Sequence, residues 1–184
     1  LDVRNQFGCT ASIYDTIVVT GNPSASFVSN IPCANTPMVF TSTSTTPGGS
    51  INKYTWKFPD GSIVNDVATT SKLFPTAGNY NVKLIVTNTS GCVDSIIQPV
   101  NVLSNPIASF TFNRSACQLR PIAFNNTSIP VNGRPITTYK WNFGNGDSSN
   151  LRSPVYQYDA RFIGKYPITL TVSDALGCSS SFTD

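Results

Sequence analysis

The chain has 184 residues, of which 12 are Lys or Arg, 9 are Asp or Glu and none is His. A net charge of +3 without a run of basic residues attracts nucleic acid or an anionic membrane only weakly, so neither is an expected partner. Without histidine, Ser-His-Asp catalysis, Cys-His catalysis and His-ligated zinc are excluded. No apolar run approaches the ~20 residues that a membrane span requires, and membrane insertion is not expected.

The five cysteines indicate the compartment in which the chain works. They form neither a CxxC motif nor a metal-like cluster, so the sequence predicts disulfides and an oxidising compartment or the cell exterior. Five buried free thiols are the alternative. The first residues lack the charged and apolar regions of a signal peptide, and the only methionine is Met38. We therefore interpret the chain as a piece of a longer protein.

The first 21 residues match the end of a unit that occurs again further along the chain. In the same order and spacing, Leu1, Val3, Asn5, Gly8 and Cys9 correspond to Leu84, Val86, Asn88, Gly91 and Cys92. A lone two-stranded hairpin is only marginally stable in water. We therefore predict that residues 1–21 are the terminal strands of a preceding, truncated repeat.

The rest of the chain contains two copies of this unit, related by shifts of 83 to 86 residues. The matching segments are 22–27 and 105–110, 54–58 and 139–143, and 78–86 and 164–172. The shift is about the length of one small sandwich domain. The sequence therefore predicts one domain over residues 22–104 and a second over residues 105–184, which lacks part of its last strand. The native protein is expected to continue in both directions.

Strand patterns dominate both copies, and the 3.6-residue period of a helix is not found. Tyr80, Val82, Leu84 and Val86 alternate with other residues, as expected for a strand with one buried face, and residues 166–172 repeat the pattern. Turn residues follow the Trp-x-Phe segment in each copy. The sequence therefore predicts an all-β fold made of sandwiches.

Two tryptophans and two tyrosines are candidate core residues. Trp56 and Trp141 could stack on sugar rings, but a tryptophan in this strand is far more often the central core residue of a sandwich. Tyr80 and Tyr166 are predicted to anchor tyrosine corners, in which the hydroxyl bonds to nearby backbone. We therefore assign these four residues to the two cores.

Oxygen-bearing turn residues raise the question of a calcium site. Asp60 lies in one copy, and Asn145 and Asp147 lie in the other. Calcium requires about six or more converging oxygens, usually with several carboxylates, and few other acids are nearby in the sequence. Turn formation explains these residues without a metal. We predict neither a metal nor a cofactor.

The cysteines are predicted to pair within each domain. We expect the turn after the first strand and the turn before the last strand to lie at the same end of a Greek-key sandwich. This pairs Cys33 with Cys92, and in the second domain Cys117 with Cys178. The rival scheme joins Cys9 to Cys33 and Cys92 to Cys117. That scheme has to span roughly 20 Å or more at ~3.3 Å per residue, whereas the Cα atoms of a disulfide approach within about 7 Å. Cys9 is left for an upstream partner.

A family resemblance appears in the motifs Trp-x-Phe-x-x-Gly, Gly-x-Tyr-x-Val-x-Leu-x-Val and Asx-x-x-Gly. They resemble the PKD (polycystic kidney disease) domain, an immunoglobulin-like β-sandwich. Residues 141–147, Trp-Asn-Phe-Gly-Asn-Gly-Asp, are similar to its Trp-Asp-Phe-Gly-Asp-Gly signature. The first copy departs further, with Lys57 and Pro59 in place of the usual Asp and Gly. The resemblance covers nearly the whole chain and implies PKD-type sandwiches arranged end to end.

The cysteine positions are similar to those of tandem PKD-like repeats in very large surface proteins of Bacteroidota, including adhesins of gliding motility. This resemblance implies an extracellular, outer-membrane-attached location and export by the type IX secretion machinery. It implies three kinds of partner: neighbouring repeats of the same chain, surface polysaccharide, and the export or motility machinery. It also implies O-glycans at Thr16 and Ser95, each of which follows an aspartate and precedes an isoleucine.

The function that these features favour is that of a non-catalytic spacer. Only Leu103 and Ser104 separate the last strand of one domain from the Asn105-Pro106 that opens the next, and so short a linker restricts swinging. We expect a semi-rigid stalk segment of a large exported adhesin, acting in surface adhesion or gliding motility. The alternative is a polysaccharide- or protein-binding accessory module of a secreted enzyme, which predicts an exposed row of aromatic residues. An enzyme is not expected, because no catalytic motif or repeated pair of acids is present.

Overall fold

The computed structural model describes residues 1–17, 19–113, 120–159 and 164–184, and these residues form strands and turns without a helix. A short N-terminal hairpin is followed by two β-sandwiches. Each sandwich contains one three-stranded and one four-stranded sheet, and neighbouring strands within each sheet pair antiparallel. The predicted all-β fold of tandem immunoglobulin-like sandwiches is confirmed.

The first sandwich uses seven strands in two sheets. They are β3 (Phe27–Ser29), β4 (Pro37–Ser42), β5 (Ile51–Lys57), β6 (Ile63–Asn65), β7 (Thr69–Leu73), β8 (Gly78–Asn88) and β9 (Val93–Val102). The sheet orders are β3-β4-β7 and β6-β5-β8-β9. β8 pairs with β5 on one side and with β9 on the other, and its buried residues alternate with exposed or half-buried ones.

The second sandwich repeats this topology strand for strand. Its strands are β10 (Phe110–Phe112), β11 (Ile122–Asn126), β12 (Ile136–Asn142), β13 (Ser148–Ser149), β14 (Val155–Tyr156), β15 (Thr169–Asp174) and β16 (Ser179–Thr183). The sheet orders are β10-β11-β14 and β13-β12-β15-β16. Trp56 lies opposite Leu84 and Trp141 lies opposite Leu170, so the sequence repeat is also a repeat of strand register.

The two tryptophans form the centres of the two cores. Trp56 and Trp141 are fully buried and contact phenylalanines from the opposite sheet. The indole N–H of Trp56 donates to the carbonyl oxygen of Val67 at 2.9 Å, and that of Trp141 donates to Leu151, also at 2.9 Å. These bonds satisfy the one polar group that burial of an indole leaves to be paired. A buried tryptophan offers no face on which a sugar ring could stack.

The two tyrosines lie at the edges of the cores and make different contacts. The Tyr80 hydroxyl donates to the carbonyl oxygen of Thr76 at 2.8 Å, a backbone bond four residues upstream. Tyr166 stacks on Tyr158, with ring centroids 4.6 Å apart. The Tyr158 hydroxyl donates to the carbonyl oxygen of Phe143 at 2.8 Å, and its burial raises the pKa to about 12.

The N-terminal hairpin differs from the sandwiches because its apolar residues are exposed. It consists of β1 (Asp2–Arg4) and β2 (Thr10–Ser12), which pair antiparallel. Leu1 is 81% exposed and Val3 is 53% exposed, whereas Leu84 and Val86 at the matching positions of the first sandwich are 0% exposed. The hairpin therefore has the sequence pattern of a strand pair from a core, but no sheet among the described residues covers its apolar side chains.

Candidate functional site at the joint between the sandwiches

The turn that carries Cys33 lies at the end of the first sandwich where the chain leaves it. Cys33 follows β3, and Leu103 follows β9, and the two residues form a parallel bridge. The Leu103 N–H donates to the carbonyl oxygen of Pro32 at 2.9 Å, and the Ala34 N–H donates to the carbonyl oxygen of Leu103 at 2.8 Å. The parallel bridge means that β3 and β9 run in the same direction, from the entry end of the sandwich to its exit end.

The turn that carries Cys178 lies at the opposite, entry end of the second sandwich. It connects β15 to β16, and the Asp174 side chain organises it. One carboxylate oxygen of Asp174 accepts the N–H groups of Leu176 at 2.9 Å and Cys178 at 3.0 Å. Gly177 has φ of +83°, a conformation that favours glycine. This Asx-x-x-Gly-Cys turn therefore holds the cysteine in a fixed orientation.

A disulfide between Cys33 and Cys178 joins the exit end of the first sandwich to the entry end of the second. The Cα atoms are 5.3 Å apart, within the ordinary range for a disulfide, and 145 residues separate the two cysteines in the sequence. Both residues are buried, with Cys178 0% exposed. The bond is therefore an internal part of the contact between the two sandwiches.

The predicted pairing within each domain is wrong. Cys33 bonds to Cys178 rather than to Cys92, and Cys92 is a free thiol. The reason is strand direction: the first and last strands both run from entry to exit, so the turn after one and the turn before the other lie at opposite ends. Ten residues of β9 separate those ends, about 33 Å at ~3.3 Å per residue. Cys178 is therefore not available to Cys117, which itself lies outside the described residues.

Arg134 connects the linker to the second sandwich. Its Nη2 group donates to the carbonyl oxygen of Ser104 in the linker, and its Nε group donates to the Asp174 carboxylate at 2.7 Å. The Asp174 side chain is only 1% exposed and that of Arg134 is 17% exposed, so this ion pair is largely removed from water. Arg134 thus ties the linker backbone to the same turn that presents Cys178.

The Asp174 carboxyl group is ionised in this site. Burial by itself raises the pKa of Asp174, but hydrogen bonds from Arg134 and from the N–H groups of Cys178 and Leu176 outweigh it. The net pKa lies below the ordinary value for aspartate. A buried charge is tolerated here because it is both paired and hydrogen-bonded.

Two asparagines complete the joint. The side-chain amide of Asn105 donates to the carbonyl oxygen of Ala34 at 3.1 Å, and that of Asn132 donates to the Ser104 hydroxyl at 3.0 Å. Asn105 begins the second repeat but bonds to the exit turn of the first sandwich. The linker is therefore held from both sides by side-chain and backbone bonds.

The turn residues considered for calcium are paired with protein groups. The Asp60 carboxylate accepts from Lys72 and from the Ser62 hydroxyl, and the Lys72 hydrogen bond is the main cause that lowers its pKa. Asp147 accepts from the Tyr156 hydroxyl and from the Asn145 amide. Within the described ranges, no group of three or more acids and cysteines is placed to hold a metal ion.

The two residues expected to carry O-glycans are both exposed. Thr16 follows β2, and its N–H donates to the Asp15 side chain at 2.9 Å. Ser95 lies on β9, and the neighbouring Asp94 accepts the Ala25 N–H at 2.8 Å. The described part of the chain contains no helix that is long and apolar enough to cross a membrane.

The roles of Arg134 and Asn132 at the joint are not predicted by any motif in the sequence. Asn132 has φ of +54° and precedes Gly133, and the Asn-Gly pair is a sequence signal for a turn. Nothing in the spacing indicated that the arginine after this turn reaches Asp174. For Asp174 itself, the repeated Asx-x-x-Gly-Cys motif is the sequence feature that indicates a role in the turn.

Comparison with known proteins places these features in a family. A curated relative, an uncharacterised 81.3 kDa protein of Acholeplasma phage L2, is 28% identical over 137 residues, which are 72% of this chain and 18% of the phage protein. The PKD1 domain of Vibrio anguillarum Epp is 22% identical, with a TM-score of 0.43 over 47% of this chain and 99% of that domain. The PKD1 domain of the Vibrio cholerae metalloprotease PrtV is 28% identical, with a TM-score of 0.41 over 45% of this chain and 98% of that domain.

The family comparison covers both sandwiches. The PKD domain model matches residues 21–102 and again residues 103–184. The two matches meet within the short linker that Arg134 and Asn105 hold. The chain therefore belongs to the PKD domain family and contains two tandem members of it.

Proposed function

We propose that the chain is a non-catalytic, semi-rigid spacer segment of a large exported cell-surface adhesin. The observation that carries the proposal is the disulfide between Cys33 and Cys178, which gives the two sandwiches a covalent connection besides the linker. A single flexible linker lets two domains swing about one point. A second attachment confines the motion to rotation about the line that joins the two attachment points.

The bonds of Arg134 oppose that remaining rotation. They connect the Ser104 carbonyl group in the linker with Asp174 in the turn next to the disulfide. Arg134 belongs to the second sandwich, so rotation of that sandwich about the linker would break its bond to the Ser104 carbonyl group and leave both groups unpaired, which is costly. A stalk needs such joints because its reach depends on the stiffness of every connection between its domains.

The extracellular setting has two supports. Disulfides persist in oxidising environments, and the Cys33–Cys178 bond is integral to this joint. PKD domains typically occur in extracellular or secreted proteins. The outer-membrane attachment, the type IX export and the role in gliding motility are the more specific parts of the proposal, together with surface polysaccharide or the motility machinery as partners.

The domain organisation that we propose includes a third repeat. Residues 1–21 would be the terminal strands of a preceding repeat, residues 22–104 one complete domain and residues 105–184 the next. The exposure of Leu1 and Val3, beside the burial of Leu84 and Val86, supports this assignment. O-glycans at Thr16 and Ser95 belong to the same proposal, and both hydroxyl groups lie on exposed residues. The intact mass of native protein, compared with that of the T16A and S95A variants, tests the glycans.

The alternative, a binding module appended to a secreted enzyme, has less support. Trp56 and Trp141 are buried, so they provide no stacking platform for a carbohydrate. Binding of polysaccharides by the oxidised chain, abolished by substitution of exposed aromatic residues such as Phe7 or Tyr14, would favour this alternative.

Solution X-ray scattering of the oxidised chain tests the spacer role. The chain should give one narrow range of maximum dimensions, whereas the C33S/C178S variant should give a broader range because its sandwiches swing about the linker. The C92S variant is the matched control, since it removes a cysteine that makes no bond, and it should behave as the parent chain. Equal breadth for the oxidised chain and C33S/C178S would contradict a semi-rigid joint.

A further inference from the structure

We propose that the entry end of the first sandwich is a docking surface for the exit end of another PKD repeat, closed by a disulfide at Cys92. The partner is a repeat that precedes residue 22 and carries a cysteine after its first strand, at the position that Cys33 occupies in this chain. The proposal goes beyond the spacer role, because it concerns how repeats join and holds whether or not the array is an adhesin.

The first support is that the turn carrying Cys92 has the same hydrogen bonds as the turn carrying Cys178. One side-chain oxygen of Asn88 accepts the N–H groups of Ser90 at 3.1 Å and Cys92 at 2.9 Å. The Asn88 N–H donates to the carbonyl oxygen of Cys92 at 3.0 Å, and Gly91 has φ of +83°. The second sandwich uses Asp174 and Gly177 in the same roles, with the same φ of +83°.

A third copy of the turn shows that it depends on local sequence. In the N-terminal hairpin, one side-chain oxygen of Asn5 accepts the N–H groups of Phe7 and Cys9, each at 3.0 Å. Gly8 has φ of +87°. This hairpin has no sandwich behind it, yet it presents Cys9 in the same way. The turn is therefore formed before any partner binds, and the partner determines only whether the sulfur is bonded.

The second support is that the backbone entering each sandwich is held at the same place. The Asn88 side-chain amide donates to the carbonyl oxygen of Gly21 at 3.2 Å, directly before Asn22-Pro23. In the second sandwich, the carbonyl oxygen of Ser104, directly before Asn105-Pro106, is held by Arg134, which also bonds the residue equivalent to Asn88. A repeat that enters through residue 21 is therefore positioned relative to Cys92 as the first sandwich is positioned relative to Cys178.

A further pair of bonds fixes this end of each sandwich in the same register. The Ala25 N–H donates to the Asp94 carboxylate at 2.8 Å, and the Ala108 N–H donates to the Ser180 hydroxyl at 3.0 Å. Each bond joins the first strand region to the last strand, beside the cysteine turn. The distance between the incoming chain and the cysteine is thus set alike in the two sandwiches.

The third support is the state of the sulfur atoms. Cys178 is bonded and fully buried, whereas Cys92 is free and half-buried, with the Thr20 hydroxyl 3.8 Å from its sulfur. Bond formation converts two thiols into one disulfide, releasing two protons and two electrons. A small-molecule disulfide such as oxidised glutathione accepts these and leaves as two thiols.

A three-repeat chain tests the proposal directly. Residues 1–21 are replaced by a second copy of residues 22–104, so that the new junction reads Leu103-Ser104-Asn22-Pro23 and reproduces the natural Leu103-Ser104-Asn105-Pro106. The C92S change in the added copy and the C117S change leave four cysteines. After oxidation with glutathione, peptide mapping without reduction should find Cys92 bonded to a Cys33 peptide, beside the Cys178 bond.

The matched control is the same three-repeat chain with C33S in the added copy. Cys92 should then be alkylated by iodoacetamide while the Cys178 bond is retained. Finding Cys92 alkylated in the chain that keeps both Cys33 residues, while Cys178 is bonded, would overturn the proposal. A scattering result against the semi-rigid joint would leave this outcome untouched, so the two proposals can fail separately.

A second measurement uses the 184-residue chain and does not depend on the folding of the longer one. In a C9S/C117S variant, Cys92 is the only free thiol. Because the docking surface has to admit an incoming cysteine, the folded protein should release about one equivalent of chromophore from an aromatic disulfide reagent such as Ellman's reagent. Reaction only after unfolding would contradict the proposal, and the variant with C92S added should not react.

Discussion

The turns at Asn88–Cys92 and at Asp174–Cys178 have the same local structure but different bonding. In both, the Asx side chain accepts two backbone N–H groups, and the glycine before the cysteine has φ of +83°. Only Cys178 faces another sandwich, and only Cys178 is bonded. Short-range hydrogen bonds therefore shape the turn, whereas the neighbouring domain determines whether its cysteine is bonded.

Removing the disulfide that distinguishes the two turns should destabilise the protein more than any other change considered below. The C33S/C178S variant should lose about 5 kcal/mol of unfolding free energy, the value that the chain-entropy model gives for a loop of 145 residues. Urea denaturation followed by tryptophan fluorescence measures it. The C92S change at the other turn should cost under ~0.5 kcal/mol, and a comparable loss there would contradict the contrast between the turns.

The second effect concerns the ion pair that only the second turn possesses. The Arg134→Met substitution leaves the Asp174 carboxylate buried without its partner and should cost about 3 kcal/mol. Arg152→Met, at an exposed arginine of the same sandwich, is the control and should cost under ~0.5 kcal/mol. Adding D174N to Arg134→Met should restore part of the loss, because the uncompensated charge is then removed.

The third prediction is a difference in acid sensitivity. Since the pKa of Asp174 is lowered in the folded protein, its contribution to stability is complete above the ordinary aspartate pKa and is lost as the pH falls through the folded pKa. Urea midpoints of the parent chain should therefore fall more steeply between about pH 5 and pH 2 than those of D174N. Asp94 also has a lowered pKa but is present in both proteins. Parallel curves would show that Asp174 makes no such contribution.

The smallest effect should be equal at the two turns. Gly91→Ala and Gly177→Ala each place a methyl group where the structure leaves open space, so the cost is only that of a left-handed backbone. About 1 kcal/mol is expected for each. Thermal unfolding of the two variants measures both. A much larger cost at Gly177 would mean that the docked sandwich, rather than local sequence, maintains the turn.

Much of the fold was predictable because it depends on short-range patterns. The alternation in residues 80–86, the turn residues and the repeated Trp-x-Phe segment all act within a few residues of one another. The burial of Trp56 and Trp141 follows from the same patterns. Hydrogen bonds to the backbone and the period of two of a strand are properties of neighbouring residues, so one sequence is enough to detect them.

The joint was not predictable in the same way, because its groups lie far apart in the sequence. Arg134 reaches an aspartate forty residues away, and 145 residues separate Cys33 from Cys178. The predicted pairing of Cys33 with Cys92 is wrong because it places the two turns at the same end of the sandwich. The number and the spacing of the cysteines are not the source of the error. That assignment requires the direction of β3 and β9 in space.

The repeat, the all-β class, the core tryptophans and the Asx-x-x-Gly-Cys turn can be recognised in the sequence, since each depends on residues close together in the chain. The pairing of the cysteines depends instead on the tertiary structure. A disulfide needs two Cα atoms within about 7 Å, and the stacking of one sandwich on the next brings together an exit turn and an entry turn from different repeats.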